Sequence, residues 1–342
     1  MQRILFFLSV GCVLSGFPLM SYAQVGGQQV FEFLNISPNA QITALGRQQV
    51  ALGYDSARVQ EVTQFMFNPA LNQAGMHQQV SLHYTPYYAD ITQVSFGYSH
   101  HRESVGTMGI AMQYFDYGTL EGLDATGLPS GDFSAQSYAV ALNYSHEMRP
   151  FRLGGNLKWV NSQIAGYAAT GLLFDIAGVF RHPTEDITLA LVFSNIGFLL
   201  RDELSVGVRE LPSDVKIGVS IKPQHLPFRF HMTAYRLLKD YEVWEGQEDN
   251  KVGVGTQILR HLSFGGEFLL SPNFQLRLGY NHLTRSTLQL QQTAGGAGFS
   301  YGLMFRTARF RLDVSRAALH AAGAYNQFSL SLDLNQLFFK SK

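Results

Sequence analysis

Little in this 342-residue chain points to soluble enzymatic chemistry. It has one cysteine, Cys12, inside a stretch that reads as a leader, so the remainder can form no disulfide and offers no thiolate. A lipid anchor on Cys12 is the weaker reading, because Ser9-Val10-Gly11 lacks the leucine expected before such a cysteine. Charged residues are only 15% of the chain, and 25 Lys and Arg balance 25 Asp and Glu. That balance gives no basic surface for nucleic acid and no pull on acidic substrates. After the leader there is no run of 18 apolar residues, so no helix can span a membrane.

What is present is a signal peptide followed by a long series of strands. Arg3, the apolar run Ile4 to Leu14 and the small-x-small triplet Ser21-Tyr22-Ala23 define a secretory leader over 1–23, with the mature chain expected to start at Gln24. An exported chain without a spanning helix is either soluble beyond the inner membrane or an outer-membrane β-barrel. From Gln79 onward the apolar period is two: Phe274, Leu276, Leu278 and Tyr280 alternate with Gln275, Arg277, Gly279 and Asn281. The same rhythm predicts fourteen strands, at 79–84, 91–101, 104–116, 132–146, 151–163, 171–181, 186–199, 213–222, 227–238, 260–270, 274–282, 297–306, 308–316 and 325–334. The first is stopped before Pro86, which cannot donate to a ladder. Most have the length a tilted strand needs to cross a bilayer.

The connections alternate as well. Every odd-numbered one (85–90, 117–131, 164–170, 200–212, 239–259, 283–296, 317–324) is predicted longer than every even-numbered one. Outer-membrane barrels have this asymmetry, with short periplasmic turns and long outer loops. The expected fold is therefore all-β, an outer-membrane antiparallel β-barrel of about 14 strands, with both termini periplasmic and the long loops at the cell surface. Tyr84, Tyr87, Tyr88, Tyr114, Phe115, Tyr117, Trp159, Tyr167, Phe193, Phe198, Tyr235 and Tyr241 are expected in the interfacial girdles. Lys158, Asp175, Lys216, Glu267, Arg277, Arg306, Arg311 and Asp313 are expected on the inward face. Fourteen strands leave a lumen that wall side chains alone do not fill.

Residues 24–78 lack the alternation and precede the barrel at 79–342. They are expected to enter from the periplasmic side and to plug the lumen with Phe31, Phe33, Leu34, Phe65 and Phe67, using turns at Gly46 and Asn68-Pro69.

Motifs with a chemical meaning fail on context. Gly298-Phe299-Ser300-Tyr301-Gly302 matches G-x-S-x-G but lies in an alternating strand, not at a strand-to-helix turn. Ser213-Asp214-Val215-Lys216 matches S-x-x-K without its companion motifs. His100 and His101 point to opposite faces of a strand, so with Glu103 they do not converge on a metal. No catalytic, cofactor or metal site is expected, and the chain reads as a non-enzyme. The acidic loop 239–259 carries Tyr241, Trp244, Glu245 and Glu248, which reads best as a docking surface for another protein; loops 117–131 and 200–212 are further candidates. Val252 to Leu259 is expected as a short helix or an extra strand.

Phe31-Glu32-Phe33-Leu34-Asn35, Ala44-Leu45-Gly46 and Asn68-Pro69-Ala70-Leu71 resemble the N-terminal hatch of long-chain fatty-acid transporter-like barrels. Asn195-Ile196-Gly197, Phe264-Gly265-Gly266-Glu267-Phe268, Leu276 to His282, Ala297 to Ser300, and Phe310-Arg311-Leu312-Asp313 extend the resemblance towards the PorQ family, outer-membrane components of the type IX secretion system. Arg47 departs from the family pattern, which has a second glycine there, and a positive φ at Arg47 would be strained. The resemblance implies an anchor for a surface protein, PorZ, in a complex that joins cargo to lipopolysaccharide with the sortase PorU and the shuttle barrel PorV. Outer-membrane lipid is the remaining expected partner. The other reading open to this family is a transporter or channel for hydrophobic small molecules.

Overall fold

Alternation builds the wall. A computed structural model of the chain describes residues 29–53, 59–123, 128–204, 210–238, 254–288, 296–320 and 323–338. It contains fourteen strands: β1 (Gln79–Pro86), β2 (Thr92–Arg102), β3 (Gly106–Leu123), β4 (Pro129–Met148), β5 (Phe151–Ile164), β6 (Tyr167–Arg181) and β7 (Asp186–Asp202), then β8 (Asp214–Lys222), β9 (Phe228–Ala234), β10 (Leu262–Ser271), β11 (Phe274–Asn281), β12 (Phe299–Arg306), β13 (Phe310–His320) and β14 (Gly323–Asp333). Each strand pairs antiparallel with its sequence neighbours. β1 closes on β14, from Gln79↔Asp333 to Tyr84↔Phe328, so the sheet is a closed barrel.

The hydrophobic face points outward. On β12, Phe299, Tyr301, Leu303 and Phe305 are about half exposed, while Ser300, Met304 and Arg306 are buried. A soluble sheet would bury the aromatic face; one that meets hydrocarbon exposes it and closes its edges. This is the fold of an outer-membrane β-barrel. Among the described residues no helix is long and apolar enough to cross a membrane.

All fourteen expected strands are present, but their ends differ. β1 includes Pro86, paired with Thr92. Pro86 lies beyond the last β14 partner, so its missing N–H leaves no bond of that ladder unmade. β3 and β4 run on to Leu123 and Pro129, so the expected loop 117–131 is mostly strand. β5 and β6 meet across residues 165–166 alone, where Ala165 and Gly166 have φ of 50° and 86°. The expected loop asymmetry is thus partly an asymmetry of wall height. Strands β3 to β7 stand tall, and β8 to β12 are short. On the low side two helices sit at the rim, α2 (Val254–Arg260) and α3 (His282–Leu288). Residues 254–260 are therefore helical, one of the two conformations expected there.

Four girdle assignments are overturned. Phe115 is 1% and Tyr235 3% exposed and both point inward, and Tyr87 and Tyr117 lie with Phe115 against the inner cluster. Phe115 meets Phe33 edge to face, and the Tyr235 hydroxyl donates to Asn281. Tyr84, Tyr88, Trp159, Tyr167, Phe193 and Phe198 are exposed as expected. Tyr241 lies outside the described residues, as does the leader 1–23.

Candidate functional site: the N-terminal segment against the barrel wall

The described residues of 29–77 hold only short pieces of regular structure, set by local signals. Asn39 caps α1 (Ala40–Ala44) by accepting from the Ile42 N–H. The helix ends in a Schellman arrangement: Gly46 N–H reaches Thr43 O, and Arg47 N–H reaches Ile42 O at 2.9 Å. Gly46, with φ 93°, fills the left-handed position that this ending requires. Arg47 follows with φ 76°, the conformation that would be relaxed for glycine. Its guanidinium donates to Thr284 on α3 at 3.0 Å, which ties the strained turn to the wall. Further on, Asn68 caps the 3-10 turn Pro69–Leu71 and also donates to Val50 O.

The segment runs the length of the barrel interior. Gln29 bridges Glu210, beyond the upper end of β7, where the odd-numbered connections lie. Just below, the Phe31 ring lies over Gly171, Leu34 is buried beside it, and Gln113 and Gln93 donate to Ile36 O and Ser37 O. At mid-height Ala40 N–H donates to Ser329 Oγ, and Thr43 bonds Gln327. The Gly46 backbone lies directly on Gly279 of β11. Three wall side chains hold that turn: Ser300 accepts from Gly46 N–H, while Ser263 and Asn281 donate to Gly46 O. Lower down, Phe65 presses on Gly109, Phe67 stacks under the Lys216 ammonium at 4.5 Å, and Pro69 sits on Gly154. At the lower rim Arg306 donates to Val59 O, Gln60 N–H to Gln79, and Val62 N–H to Ser81. Of the eight residues expected to matter in this segment, Phe31, Phe33, Gly46, Phe65, Phe67 and Pro69 touch wall residues and Leu34 packs in the cluster of Phe31 and Phe33, whereas Asn68 bonds within the segment.

The expected placement of the chain ends needs correction. Gln29 is at the rim of the odd-numbered connections, whereas α4 (Leu334–Phe338) follows β14 at the opposite rim. The described chain thus descends through the barrel before starting β1, and does not rise into it from below.

The eight inward charges expected from the strands are all buried, and four of them, Glu267, Arg277, Arg311 and Asp313, join Arg229 and His231 in one row across β9, β10, β11 and β13. Glu267 accepts from Arg277 at 2.9 Å, Arg229 at 3.3 Å and His231 at 3.2 Å. Arg277 also pairs with Asp313, which Arg311 meets at 2.7 Å. Arg311 reaches Gln41 at 2.8 Å, and His231 Nδ1 lies 3.1 Å from Ala51 O, so the row grips the N-terminal segment. Across the barrel Lys158 pairs with Asp175 at 2.6 Å.

One constellation escaped sequence reasoning. Ser329 Oγ lies 2.6 Å from His83 Nδ1, and His83 Nε2 lies 3.1 Å from Glu61. These are the residue types of a hydrolytic triad. The serine is 1% exposed and already accepts the Ala40 N–H, and the acid sits on the N-terminal segment. Any movement that opened Ser329 to a substrate would remove Glu61. The row instead clasps that segment to β1 and β14. Its members lie far apart in sequence, so only the register of β1 against β14 brings them together. Ser300 of the G-x-S-x-G match is equally committed, donating to Ala44 O at 3.1 Å. His100 and His101 gain His77 as a neighbour, with rings of His77 and His100 4.8 Å apart, but no metal-binding group of three occurs among the described residues. Tyr241, Trp244, Glu245 and Glu248 lie outside the described residues.

At the odd rim a small cavity of about 130 Å³ remains, lined by Ile36, Arg47, Tyr87, Tyr88, Ile91, Phe115 and Tyr117.

No protein-family model matches this chain, and no curated protein matches it. Solved structures do. The outer-membrane protein Omp33 of Acinetobacter baumannii is 5% identical, with 77% of this chain and 99% of that chain covered and a TM-score of 0.40. A Pseudomonas aeruginosa FadL homologue is 10% identical over 87% and 98%, with a TM-score of 0.47. The KdgM porin is 6% identical over 74% and 98%, with a TM-score of 0.33. At these values the likeness carries no functional argument, and the barrel stands on its own strand pairing.

Proposed function

We propose that this chain is a non-enzymatic outer-membrane anchor whose lumen is closed by residues 29–77 and whose odd-connection rim docks a cell-surface protein. The seating of that segment supports the reading. Its described residues are bonded to the wall from Ser37 to Val62, backbone against glycine at several heights, and a buried ion row grips it at Gln41 and Ala51. A barrel filled this way holds position in the membrane better than it conducts. The resemblance to PorQ-like components supplies the finer proposal: the docked protein is PorZ-like, within the type IX attachment complex that also uses PorU and PorV. On this reading the odd rim faces the cell surface.

The test is an affinity pull-down from gently solubilised outer membranes. Full-length protein is expected to bring down a surface partner. Replacing 239–253 by a short linker, which spares α2, is expected to release that partner while the barrel stays folded. Unchanged co-purification would reject this loop as the docking surface, and a barrel that runs alone in both forms would reject the anchor.

The cavity beside Arg47 favours a second reading, a transporter for hydrophobic small molecules. A cation beside aromatic walls suits an amphiphile's acidic head. Its volume of about 130 Å³ is below the ~300–1,000 Å³ of ordinary ligand pockets, which is why the anchor is preferred.

A further inference from the structure

The two edges of β7 do not end together. Towards β6 its ladder runs on through Phe174↔Ile196 and Leu172↔Phe198 to Ala169↔Asp202. Towards β8 it stops at Ser194↔Asp214. A local device makes the strands part there. Asn195, with φ 57°, is an extra residue that β6 passes over. Asp175 accepts its N–H at 2.8 Å, Ser213 donates to its carbonyl at 2.8 Å, and its side chain donates to Pro212 O at 3.1 Å. The chain before β8 is committed inward: Glu210 O accepts from Val30 N–H, and Leu211 packs on the Phe31 cluster. Among the described residues, none pairs with the β8-side backbone of residues 196–202, an edge of about 23 Å at ~3.3 Å per residue.

We propose that β7 from Ile196 to Asp202 is a strand-addition site, where an extended segment of the docked surface protein pairs antiparallel and raises the wall that β8 leaves low. The inference rests on the anchor reading, which puts this rim at the cell surface. Ile196, Phe198 and Leu200 are about half exposed on the outward face, so the edge begins at hydrocarbon height, and Arg201-Asp202-Glu203 carry it into water. Lipid tails offer nothing to its N–H and C=O groups, whereas a polypeptide strand satisfies both. From Ile196 to Leu200 the edge has neither the charge nor the proline that commonly blunts one; its single irregularity is that β6 passes over Leu200. Main-chain bonds would hold the added strand, and apolar side chains opposite Ile196 and Phe198 would fit it. Arg201 already pairs with Glu203, so charge adds little to the recognition. A second copy of this chain does not fit the edge. Two barrels side by side in one membrane tilt their β7 strands in opposite senses, so the edges cross at roughly 70–90° and cannot form a ladder.

The test places the photo-crosslinker p-benzoylphenylalanine at position 196, 198 or 200 of the full chain in outer membranes, and sequences the joined peptides after irradiation. All three positions face outward, where a bulky ring is accommodated, and heat-modifiable migration on gels checks folding. One segment of one surface protein is expected at all three. Its attachment points for 196 and 198 should lie two residues apart and run in the opposite chain direction, as an antiparallel ladder requires. Should one variant not fold, the other two carry the test. In the co-purified complex, alternate amides within 196–202 are expected to exchange about tenfold more slowly than in the barrel alone in the same micelle, the protection of one ladder hydrogen bond each. Crosslinks to residues 205–209 or 239–253 of the same chain, or to lipid alone, would overturn the proposal. A partner that co-purifies while 196–202 exchanges as in the barrel alone would overturn it and leave the anchor standing, whereas a barrel without any partner would remove both.

Discussion

Gly279→Val separates the stability of the wall from the seating of the N-terminal segment. Valine favours strands, and residue 279 has ordinary strand geometry, so β11 itself should gain. Inside the barrel, however, a Cβ at this position would lie 2.5 Å from the Leu45 carbonyl carbon and 2.5 Å from Ser300 Oγ, and would overlap the Gly46 nitrogen. Ordinary contact begins at about 3.5 Å, so the Leu45-Gly46 backbone must retreat by ~1 Å. Overpacking of this kind costs about 1–3 kcal/mol. Moving the turn also strains the bonds made by Ser263, Ser300 and Asn281 to Gly46 and by Ser300 to Ala44. At about 1 kcal/mol each, those four contribute ~4 kcal/mol, for a loss of roughly 5–7 kcal/mol in seating. The expected result is a barrel that still migrates as folded when unheated, conducts ions in a planar bilayer, and is cut by protease within residues 29–77. Wild type should migrate as folded too, but neither conduct nor be cut. A G279V protein as closed and as protease-resistant as wild type would refute the argument that backbone-on-glycine contact holds the segment.

Three other outcomes follow from the same geometry. Glu267→Gln leaves Arg277, Arg229 and His231 sharing a neutral acceptor in a buried site, and breaking a buried pair costs about 3–5 kcal/mol; the denaturant midpoint in micelles should fall accordingly. His77, which joins the segment to β1 outside the strands, has its pKa lowered by burial and then by the nearby His100 and His101, against a raising effect of Asp333. The unfolded form therefore binds the proton more readily, so stability at this joint is whole at neutral pH and falls as pH drops below the ordinary histidine range. Protease nicking near His77 should increase from pH 7 to pH 5, and His77→Gln should flatten that dependence. Phe33→Ala removes the ring that meets Phe115 and should cost ~3–5 kcal/mol, read as a lower unfolding midpoint; an unchanged midpoint would mean that this contact is not made in the membrane.

Much of the wall was legible because a strand crossing hydrocarbon has to alternate. Phe299, Tyr301, Leu303 and Phe305 announce the outward face of β12, and Lys158, Asp175, Glu267 and Arg277 announce inward positions, where charge can find a partner. Strand ends were harder. The polar, aromatic stretch 117–123 looks the same in a loop as in a hairpin standing clear of the membrane, and only pairing with 129–134 decides between them. Aromatics near strand ends were ambiguous for the same reason. Phe115 and Tyr117 occupy one face of β3, but whether that face meets lipid or the lumen depends on the register against β2 and β4.

By itself the sequence determined the number of strands, the side of the wall that faces lipid, the residues of the non-alternating segment and the glycine at its turn. These are properties of local periodicity and of single-residue backbone preference, which act over a few positions. Only the tertiary structure decided that Gln29 stands at the opposite rim from β14's end, that Gly279 receives the Gly46 turn, and that Ser329, His83 and Glu61 share one row. Those contacts join residues up to 246 positions apart, and closure of β1 on β14 is what sets them. A chain of fourteen alternating strands can form its ladders from pattern alone, but its contents are positioned only once the circle is shut.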